Sequence, residues 1–211
     1  RAAAPTFKLP PGRYIVNAAY GRAFLTRVIS VASGQSGTET FVLNAGGLKV
    51  RATLADGKRV TPGSVTYDIL SDERDQNGDR IRILGDVRPG AVIRLNSVIY
   101  QLVSKMGNAN ARVTAEVTVE AGKLTEATFA HDAGKCTFKL VRQQGGEAIA
   151  DVQWTILDGA GAVIKESAGA LPTHILAPGS YSVSARFSDS LYTRTFEIRS
   201  GDNVEVEVVI K

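Results

Sequence analysis

The sequence predicts an all-β chain in which antiparallel β-sandwich modules follow one another in tandem, the first of them partial. The chain repeats itself, because residues 7–44 align on residues 174–211 without a gap at a constant offset of 167. Apolar and polar residues alternate in many short segments, as they do in half-buried strands. The 21 glycines supply frequent turns between these segments. Short strands between frequent turns are typical of sandwiches, and repetition at this scale indicates an array of like units.

The repeat has three copies of unequal completeness. In the ungapped alignment, 11 of the 38 aligned pairs are identical. A looser copy lies between the two, where Leu95, Tyr100, Leu102 and Gly107 follow the order of Leu9, Tyr14, Val16 and Gly21 at an offset of 86. Upstream of these matches, Leu48, Val50, Ala52, Val65, Tyr67 and Ile69 resemble Cys136, Phe138, Leu140, Val152, Trp154 and Ile156. We expect a partial module at 1–44, corresponding to the second half of a repeat, and complete modules at 45–131 and 132–211.

The strands are predicted from alternation with a period of two. Tyr14, Val16, Ala18 and Tyr20 form one row of the first strand, and Tyr181, Val183, Ala185 and Phe187 form the same row in the last copy. Such a row faces a core while its neighbours face solvent. Further strands are predicted at 24–31, 38–43, 47–54, 65–70, 91–95, 98–105, 111–119, 124–130, 136–142, 152–157, 162–167, 191–198 and 203–210.

Composition excludes several classes of protein. Cys136 is the single cysteine and lies in an alternating apolar segment, which favours a small buried side chain over a reactive thiol. No apolar run is long enough for a membrane span. The net charge of +4 is found in residues 1–44, which carry five basic residues and one acidic residue. These charges are dispersed and lack interleaved aromatic residues, so we expect no nucleic-acid partner.

One element repeats with a recognisable pattern. Leu9-Pro10-Pro11-Gly12-Arg13-Tyr14 and Leu176-Ala177-Pro178-Gly179-Ser180-Tyr181 resemble the LPxGxY hairpin of carboxypeptidase regulatory-like and related prealbumin-like sandwiches. The middle copy departs from it, reading Leu95-Asn96-Ser97-Val98-Ile99-Tyr100. The resemblance implies non-catalytic accessory or interaction modules on an exported bacterial protein. It therefore implies an extracytoplasmic location, either periplasmic or secreted.

An acidic segment is a candidate calcium site. Asp75, Asn77 and Asp79 supply hard oxygen ligands at alternate positions, as a calcium loop requires. However, the glycine falls at the fourth position of this loop rather than the sixth, and no helices flank it. The alternative is a polar hairpin tip that turns on Asn77-Gly78, a favoured two-residue turn sequence.

Catalytic and cofactor sites are not predicted. The two histidines, His131 and His174, have no further ligand at a spacing that assembles a zinc site within one element. We interpret His131-Asp132 as a polar pair at the boundary between two copies. The serines include no Gly-x-Ser-x-Gly elbow between a strand and a helix. The sequence thus predicts no enzyme and no cofactor.

Carbohydrate binding is the alternative to a structural role, because small sandwiches often present aromatic rings to glycans. Trp154 and Tyr192 are the candidate residues. Trp154 alternates with Val152 and Ile156, which favours a place in the core. Tyr14, Tyr100 and Tyr181 occupy one equivalent site in the three copies and are interpreted as core tyrosines.

The preferred interpretation is a non-enzymatic exported protein whose tandem sandwiches form a structural or protein-interaction array in a larger envelope protein or assembly. A half-module leaves strand edges unpaired, and such edges bind other strands. The expected partner is another envelope protein or the missing upstream half of the module. The alternative function is a carbohydrate-binding accessory module that takes a polysaccharide.

Overall fold

The structure is a computed structural model that describes residues 4–61 and 63–210. Within these residues the regular elements are sixteen β-strands. The first copy holds β1 (Gly12–Tyr20) and β2 (Ala23–Val31). The second copy holds β3 (Ala45–Leu54), β4 (Val65–Arg74), β5 (Arg80–Val87), β6 (Val92–Asn96), β7 (Ile99–Met106), β8 (Arg112–Thr118) and β9 (Leu124–His131). The third copy holds β10 (Gly134–Val141), β11 (Gln153–Asp158), β12 (Val163–Ala168), β13 (Thr173–Leu176), β14 (Gly179–Phe187), β15 (Ser190–Ile198) and β16 (Asn203–Val209).

The second and third copies have the same sheet topology. Each has a three-stranded sheet, ordered β6-β3-β9 or β13-β10-β16, and a four-stranded sheet, ordered β5-β4-β7-β8 or β12-β11-β14-β15. Neighbouring strands are antiparallel except for the first and last strand of each copy, which pair in parallel as β3 with β9 and β10 with β16. This is a tandem β-sandwich chain, as the sequence predicts.

Each complete copy has its own hydrophobic core, to which both of its sheets contribute. The core of the second copy is formed by Leu48, Val50, Tyr67, Ile69, Leu95, Tyr100, Leu102, Val119 and Phe129. That of the third copy is formed by Cys136, Phe138, Leu140, Val152, Trp154, Ile156, Leu176, Tyr181, Val183, Ala185, Ile198, Val206 and Val208. Cys136 is fully buried, and burial raises the pKa of its thiol to about 11. The thiol is therefore protonated and inaccessible, as expected for a packing residue.

The hairpin of the repeat seen in the sequence is reproduced in the structure. β1 and β2 match β14 and β15 in both bounds at the offset of 167. Their registers match as well, since Gly12 pairs with Val31 and Gly179 pairs with Ile198 at the equivalent ends of the two hairpins. The hairpin of the first copy is thus built like that of the third copy.

The strand predicted at 38–43 is wrong, because residues 35–44 are irregular. The equivalent segment of the third copy is β16, which is held by its ladder with β10. The first copy has no strand equivalent to β10 in the described residues. Without a neighbouring backbone, an alternating sequence has nothing with which to form a ladder.

Two strands were not predicted. β5 joins β4 through a ladder with several register shifts, and its Ile81 and Ile83 alternate with arginines. β13 is only four residues long and runs beside the start of β10. Both lie at an edge of their sheet, where fewer neighbours constrain the sequence.

Candidate binding edge

The candidate functional site is the edge of β1 that faces away from β2. In the complete copies the equivalent strands are inner strands, because β7 lies between β4 and β8, and β14 lies between β11 and β15. Among the described residues, β1 pairs with β2 alone. One side of β1 therefore presents the unpaired backbone groups that its equivalents use to bind a strand.

The direction of these groups follows from the hairpin. Tyr20 and Ala23 flank a two-residue turn, and they are the first pair of the ladder. In such hairpins the flanking pair exchanges hydrogen bonds and the next pair does not. The amides of Ile15, Asn17 and Ala19 are therefore expected to point away from β2.

The inner face of this hairpin is less buried than its counterpart. Tyr181, Val183 and Ala185 of β14 are buried in the core of the third copy. The matching residues of β1, Tyr14, Val16 and Ala18, are only half-buried. The first copy thus exposes part of a face whose residue pattern is that of a core.

The outer face of the same hairpin is apolar at its centre. Ile15 and Val28 pair directly across the two strands and are 77% and 50% exposed. The equivalent pair in the third copy is Ser182 and Thr195, which is polar. Exposed apolar pairs of this kind favour contact with another protein surface.

The repeated tyrosine holds the start of each hairpin. The hydroxyl of Tyr14 donates to the carbonyl of Pro10 at 2.7 Å, and that of Tyr181 donates to Ala177 at 2.8 Å. In the middle copy, Tyr100 donates to Asn96 at 3.1 Å. The same contact four residues upstream occurs in all three copies, so these tyrosines are structural, and the departure from the LPxGxY pattern leaves the contact in place.

Residues 36–42 of the first copy are equivalent to β16 in the alignment and keep one of its contacts, although they form no ladder. Arg27 donates from Nη1 to the carbonyl of Thr40 at 3.3 Å. The equivalent Arg194 donates from Nη1 to the carbonyl of Glu207 in the third copy. The guanidinium of Arg27 also lies 5.1 Å from the centre of the Phe41 ring. The last segment of the first copy therefore contacts the hairpin through the same arginine as β16 does in the third copy.

The calcium candidates lie in the loop between β4 and β5. Oδ1 of Asp75 accepts from the amides of Asn77 at 2.8 Å and Asp79 at 3.0 Å. Gly78 has a positive φ and Asn77 does not, so the loop is not the two-residue type that the dipeptide favours. Asp75 thus serves as a turn-capping acceptor, and the described residues contain no group of three or more acidic, histidine or cysteine side chains placed to hold a metal ion.

The two glycan candidates lie in the core of the third copy or against it. Trp154 is 1% exposed, stacks on Phe138 with ring centroids 5.6 Å apart, and donates from Nε1 to the carbonyl of Gly169 at 2.8 Å. Tyr192 is half-buried and packs against the same core. The structure does not bring the two rings together on an exposed face.

Each histidine is paired with a serine. Nε2 of His131 lies 2.8 Å from Oγ of Ser104, and Nε2 of His174 lies 2.9 Å from Oγ of Ser167. His131 is the last residue of β9, at the boundary between the second and third copies; it is 1% exposed, and its partner Ser104 is fully buried. A substrate cannot reach that hydroxyl. Nδ1 of His174 is buried without a hydrogen-bond partner in the described residues, so nothing orients this ring as a general base.

Acid is expected to destabilise the chain through these histidines. Burial lowers the pKa of His131, and burial together with the charge of Lys165 lowers the pKa of His174. Below about pH 6.5 the unfolded chain therefore binds protons that the folded chain does not. The stabilisation is fully present above that pH and is lost as the pH falls toward the folded pKa.

Urea unfolding at about pH 7.5 and about pH 5.5 measures this effect. The free energy of unfolding is expected to be smaller at the lower pH. A His131→Gln, His174→Gln double variant is expected to show a smaller difference between the two pH values. An equal fall in both proteins would assign the pH dependence to other groups.

Sequence reasoning missed the residues at which successive copies meet. Asn96 bonds to Phe24 and Leu43 of the first copy, and Asn110 bonds to Ala177 and Tyr181 of the third. The one available signal was Gly21, which aligns with Gly107 in the middle copy. Neither asparagine has an equivalent in another copy, so the alignment did not mark it.

Comparison with protein families gives a match for the third copy, and comparison with solved structures gives matches for the fold. Residues 135–210 match the model of the Rhizobiales growth-associated tandem repeat domain, which is about a third of the chain. No curated protein sequence matches the chain at a significant level.

Among solved structures, the chain is similar to the Bacillus anthracis TIE protein, at 13% identity and a TM-score of 0.31, covering 89% of this chain and 37% of that one. It is also similar to GBS52, the minor pilin of Streptococcus agalactiae, at 13% identity and a TM-score of 0.39, covering 78% and 94%. A streptococcal ancillary pilin gives 12% identity and a TM-score of 0.35, covering 96% and 76%. The chain thus spans little more than a third of the length of the TIE protein.

Proposed function

We propose that this chain is a non-enzymatic, extracytoplasmic structural or protein-interaction module of a larger bacterial envelope protein or assembly, and that β1 is its interaction edge. The modules would span residues 1–44, 45–131 and 132–211. The observation that carries the proposal is that β1 has one neighbour where its two equivalents have two. The match of residues 135–210 to a tandem repeat domain supports the repeat architecture.

The partner of β1 is a strand of the β11 type, supplied by the upstream half of the first module or by another envelope protein. In the third copy, Trp154 and Ile156 of β11 lie opposite Ala185 and Val183 of β14. At the offset of 167, the same strand would place its apolar row opposite Ala18 and Val16. The half-buried inner face of β1 would then become the core that its sequence pattern predicts.

The family resemblance of the LPxGxY element to carboxypeptidase regulatory-like sandwiches supports a non-catalytic role and the extracytoplasmic location. The serine hydroxyl beside His131 is closed to solvent, which fits the same role. Carbohydrate binding has less support, since the Trp154 ring lies in the core. No helix within residues 4–61 and 63–210 is long and apolar enough to cross a membrane.

Site-specific crosslinking of the full-length protein in its own cells tests this proposal. A photoreactive amino acid at Asn17, at the centre of β1, is expected to crosslink to a strand outside residues 4–44. The matched control is Ser184, which occupies the equivalent place in β14, where β11 already fills the edge. Position 184 is expected to crosslink within the third copy alone.

The sequence of the segment captured at position 17 decides the outcome. An alternating apolar strand, from upstream of Arg1 or from one recurrent envelope protein, supports the proposal. Crosslinks confined to the β1–β2 hairpin and residues 35–44 would contradict it.

A further inference from the structure

The second copy fastens its first strand to its last strand. β3 and β9 pair in parallel over eight residue pairs. Backbone hydrogen bonds extend this contact at both ends, because the amide of Gly122 donates to the carbonyl of Ala45 at 2.9 Å and the amide of Ala55 donates to the carbonyl of His131 at 2.9 Å. The sheet order is β6-β3-β9, so in the described residues the ladder of β9 is formed with β3. This ladder therefore ties the beginning of the copy to its end.

The chain enters and leaves the second copy at opposite ends of this ladder. Ala45 is the first residue of β3, and the segment before it leads from the first copy. His131 is the last residue of β9, and only Asp132 and Ala133 separate it from β10 of the third copy. Parallel strands run in one direction, so the start of β3 and the end of β9 lie at opposite ends of the ladder. Tension between the first and third copies therefore reaches both strands along their length.

The neighbouring copies also contact the second copy at these two ends. Asn96, which pairs with the first residue of β3, exchanges hydrogen bonds of 3.0 and 3.1 Å with the backbone of Phe24 in the first copy. At the other end, Oγ of Ser104 in β7 lies 2.8 Å from Nε2 of the last residue of β9. Just beyond β7, a Cβ atom on Gly107 would lie 3.0 Å from Cβ of Ile175 in the third copy. The direction from the first copy to the third thus runs along the β3–β9 ladder.

Side-chain contacts hold the two strands in register. Oε1 of Glu126 in β9 lies 3.0 Å from Nη2 of Arg51 and 3.8 Å from Nζ of Lys49, both in β3. On the other face of the sheet, Val50 of β3 and Phe129 of β9 are buried in the same core. A slip by one residue would turn these core side chains toward the outer face. The strands therefore cannot yield to tension by sliding in small steps.

The direction of a load decides how such a ladder resists it. The hydrogen bonds between strands run across the strand direction. A pull along the strands strains all of these bonds at once, so the strands separate only when the bonds yield together. A pull across one end strains the pairs one after another, and the strands peel apart at a lower force. Because forced unfolding is governed by the rate of unfolding, the direction of the load changes the force although the folded state is the same.

We propose that the second copy is a load-bearing link of the array, in which the β3–β9 ladder is a shear clamp against tension between the first and third copies. The clamp keeps the second copy folded while the array is pulled, and so preserves the spacing of the two copies that it joins. This mechanical function goes beyond the proposed binding at β1 and does not require β1 to bind a strand.

Pulling on the full chain with optical tweezers in two directions tests this proposal. Handles on Val42→Cys and Asp132→Cys load the ladder along its strands, whereas handles on Val42→Cys and Lys123→Cys load it across one end. All three positions are exposed, so the substitutions are expected to change stability little. Cys136 is fully buried and remains in both proteins. Each handle pair encloses most of the second copy, whose unfolding releases roughly 300 Å of chain.

The ratio of the two unfolding forces at one pulling rate decides the outcome. The force for the 42–132 pair is expected to be several-fold higher than that for the 42–123 pair. Forces that are equal, or a lower force for the 42–132 pair, would overturn the proposal. The chain is pulled without any partner at β1, so this result and the crosslinking result for position 17 can each fail without the other.

Discussion

Replacing Trp154 with alanine is expected to lower the free energy of unfolding of the third copy by about 3–5 kcal/mol. The side chain is 1% exposed, stacks on Phe138 and donates to the carbonyl of Gly169. Alanine removes the packing and leaves that part-buried carbonyl without its donor. Urea unfolding followed by circular dichroism, which needs no tryptophan signal, measures the loss.

A Tyr192→Ala variant provides the comparison, because Tyr192 only packs against the same core and is half-buried. Its loss is expected to be clearly smaller than that of Trp154→Ala. A Trp154→Ala protein as stable as the wild type, with reduced polysaccharide binding, would contradict the structural role and revive the glycan interpretation.

The glycine near the start of the first strand of each complete copy, the second residue of β3 and the first of β10, is expected to tolerate no side chain. A Cβ atom on Gly46 would lie 2.2 Å from the carbonyl oxygen of Glu120, and one on Gly134 would lie 2.7 Å from that of Arg199. In both copies the strand start is tied to the turn before the last strand, by hydrogen bonds from Gly122 to Ala45 and from Gly201 to Ala133. Since backbone cannot move aside cheaply, each change to alanine is expected to cost about 3 kcal/mol or more.

The fluorescence of Trp154 assigns this loss to a copy, because it is the only tryptophan and lies in the third core. Gly134→Ala is expected to shift the fluorescence transition in urea, and Gly46→Ala is expected to shift circular dichroism while leaving fluorescence nearly unchanged. Gly37→Ala is the matched control, since a Cβ atom there meets nothing within 4 Å. Equal stability of all three variants would show that the close approaches do not exist.

The fold was predictable for the hairpins, where the repeat and the alternation agree and each strand finds its neighbour within the same hairpin. The β1–β2 and β14–β15 hairpins align without a gap, so one alignment fixes both. The interpretation as core tyrosines held for Tyr100 and Tyr181, whereas Tyr14 is only half-buried. An equivalent hydrogen bond nevertheless occurs in all three copies. These features are local, and local sequence specifies them.

The failures concern contacts with distant residues. Residues 38–43 carry a strand pattern, but a strand needs a neighbouring backbone, and the repeat alignment alone does not show that neighbour to be missing. His131 reads as a polar residue next to Asp132, and only the fold brings Ser104 within 2.8 Å of it. The contacts between successive copies depend on Asn96 and Asn110, which bond across copies at sequence separations that alternation cannot indicate.

The existence of an open strand edge in the first copy was predictable, but the strand and the side that are open were not. Residues 7–44 match only the second half of a repeat, so an unpaired strand was expected among them. The structure adds which strand is open, which side of it is free, and that Ile15 and Val28 make the outer face apolar.

Hydrogen exchange at single amides of β1 tests the central claim most directly. The amides of Ile15 and Asn17 are expected to exchange quickly in the chain alone, whereas those of Ser182 and Ser184, their equivalents in β14, exchange slowly beside β11. Adding a saturating peptide with the sequence of residues 151–159, which contains β11, is expected to slow exchange at Ile15 and Asn17. Slow exchange at these two amides before the peptide is added, or exchange that the peptide leaves unchanged, would contradict the account of β1 as an open edge that binds a strand.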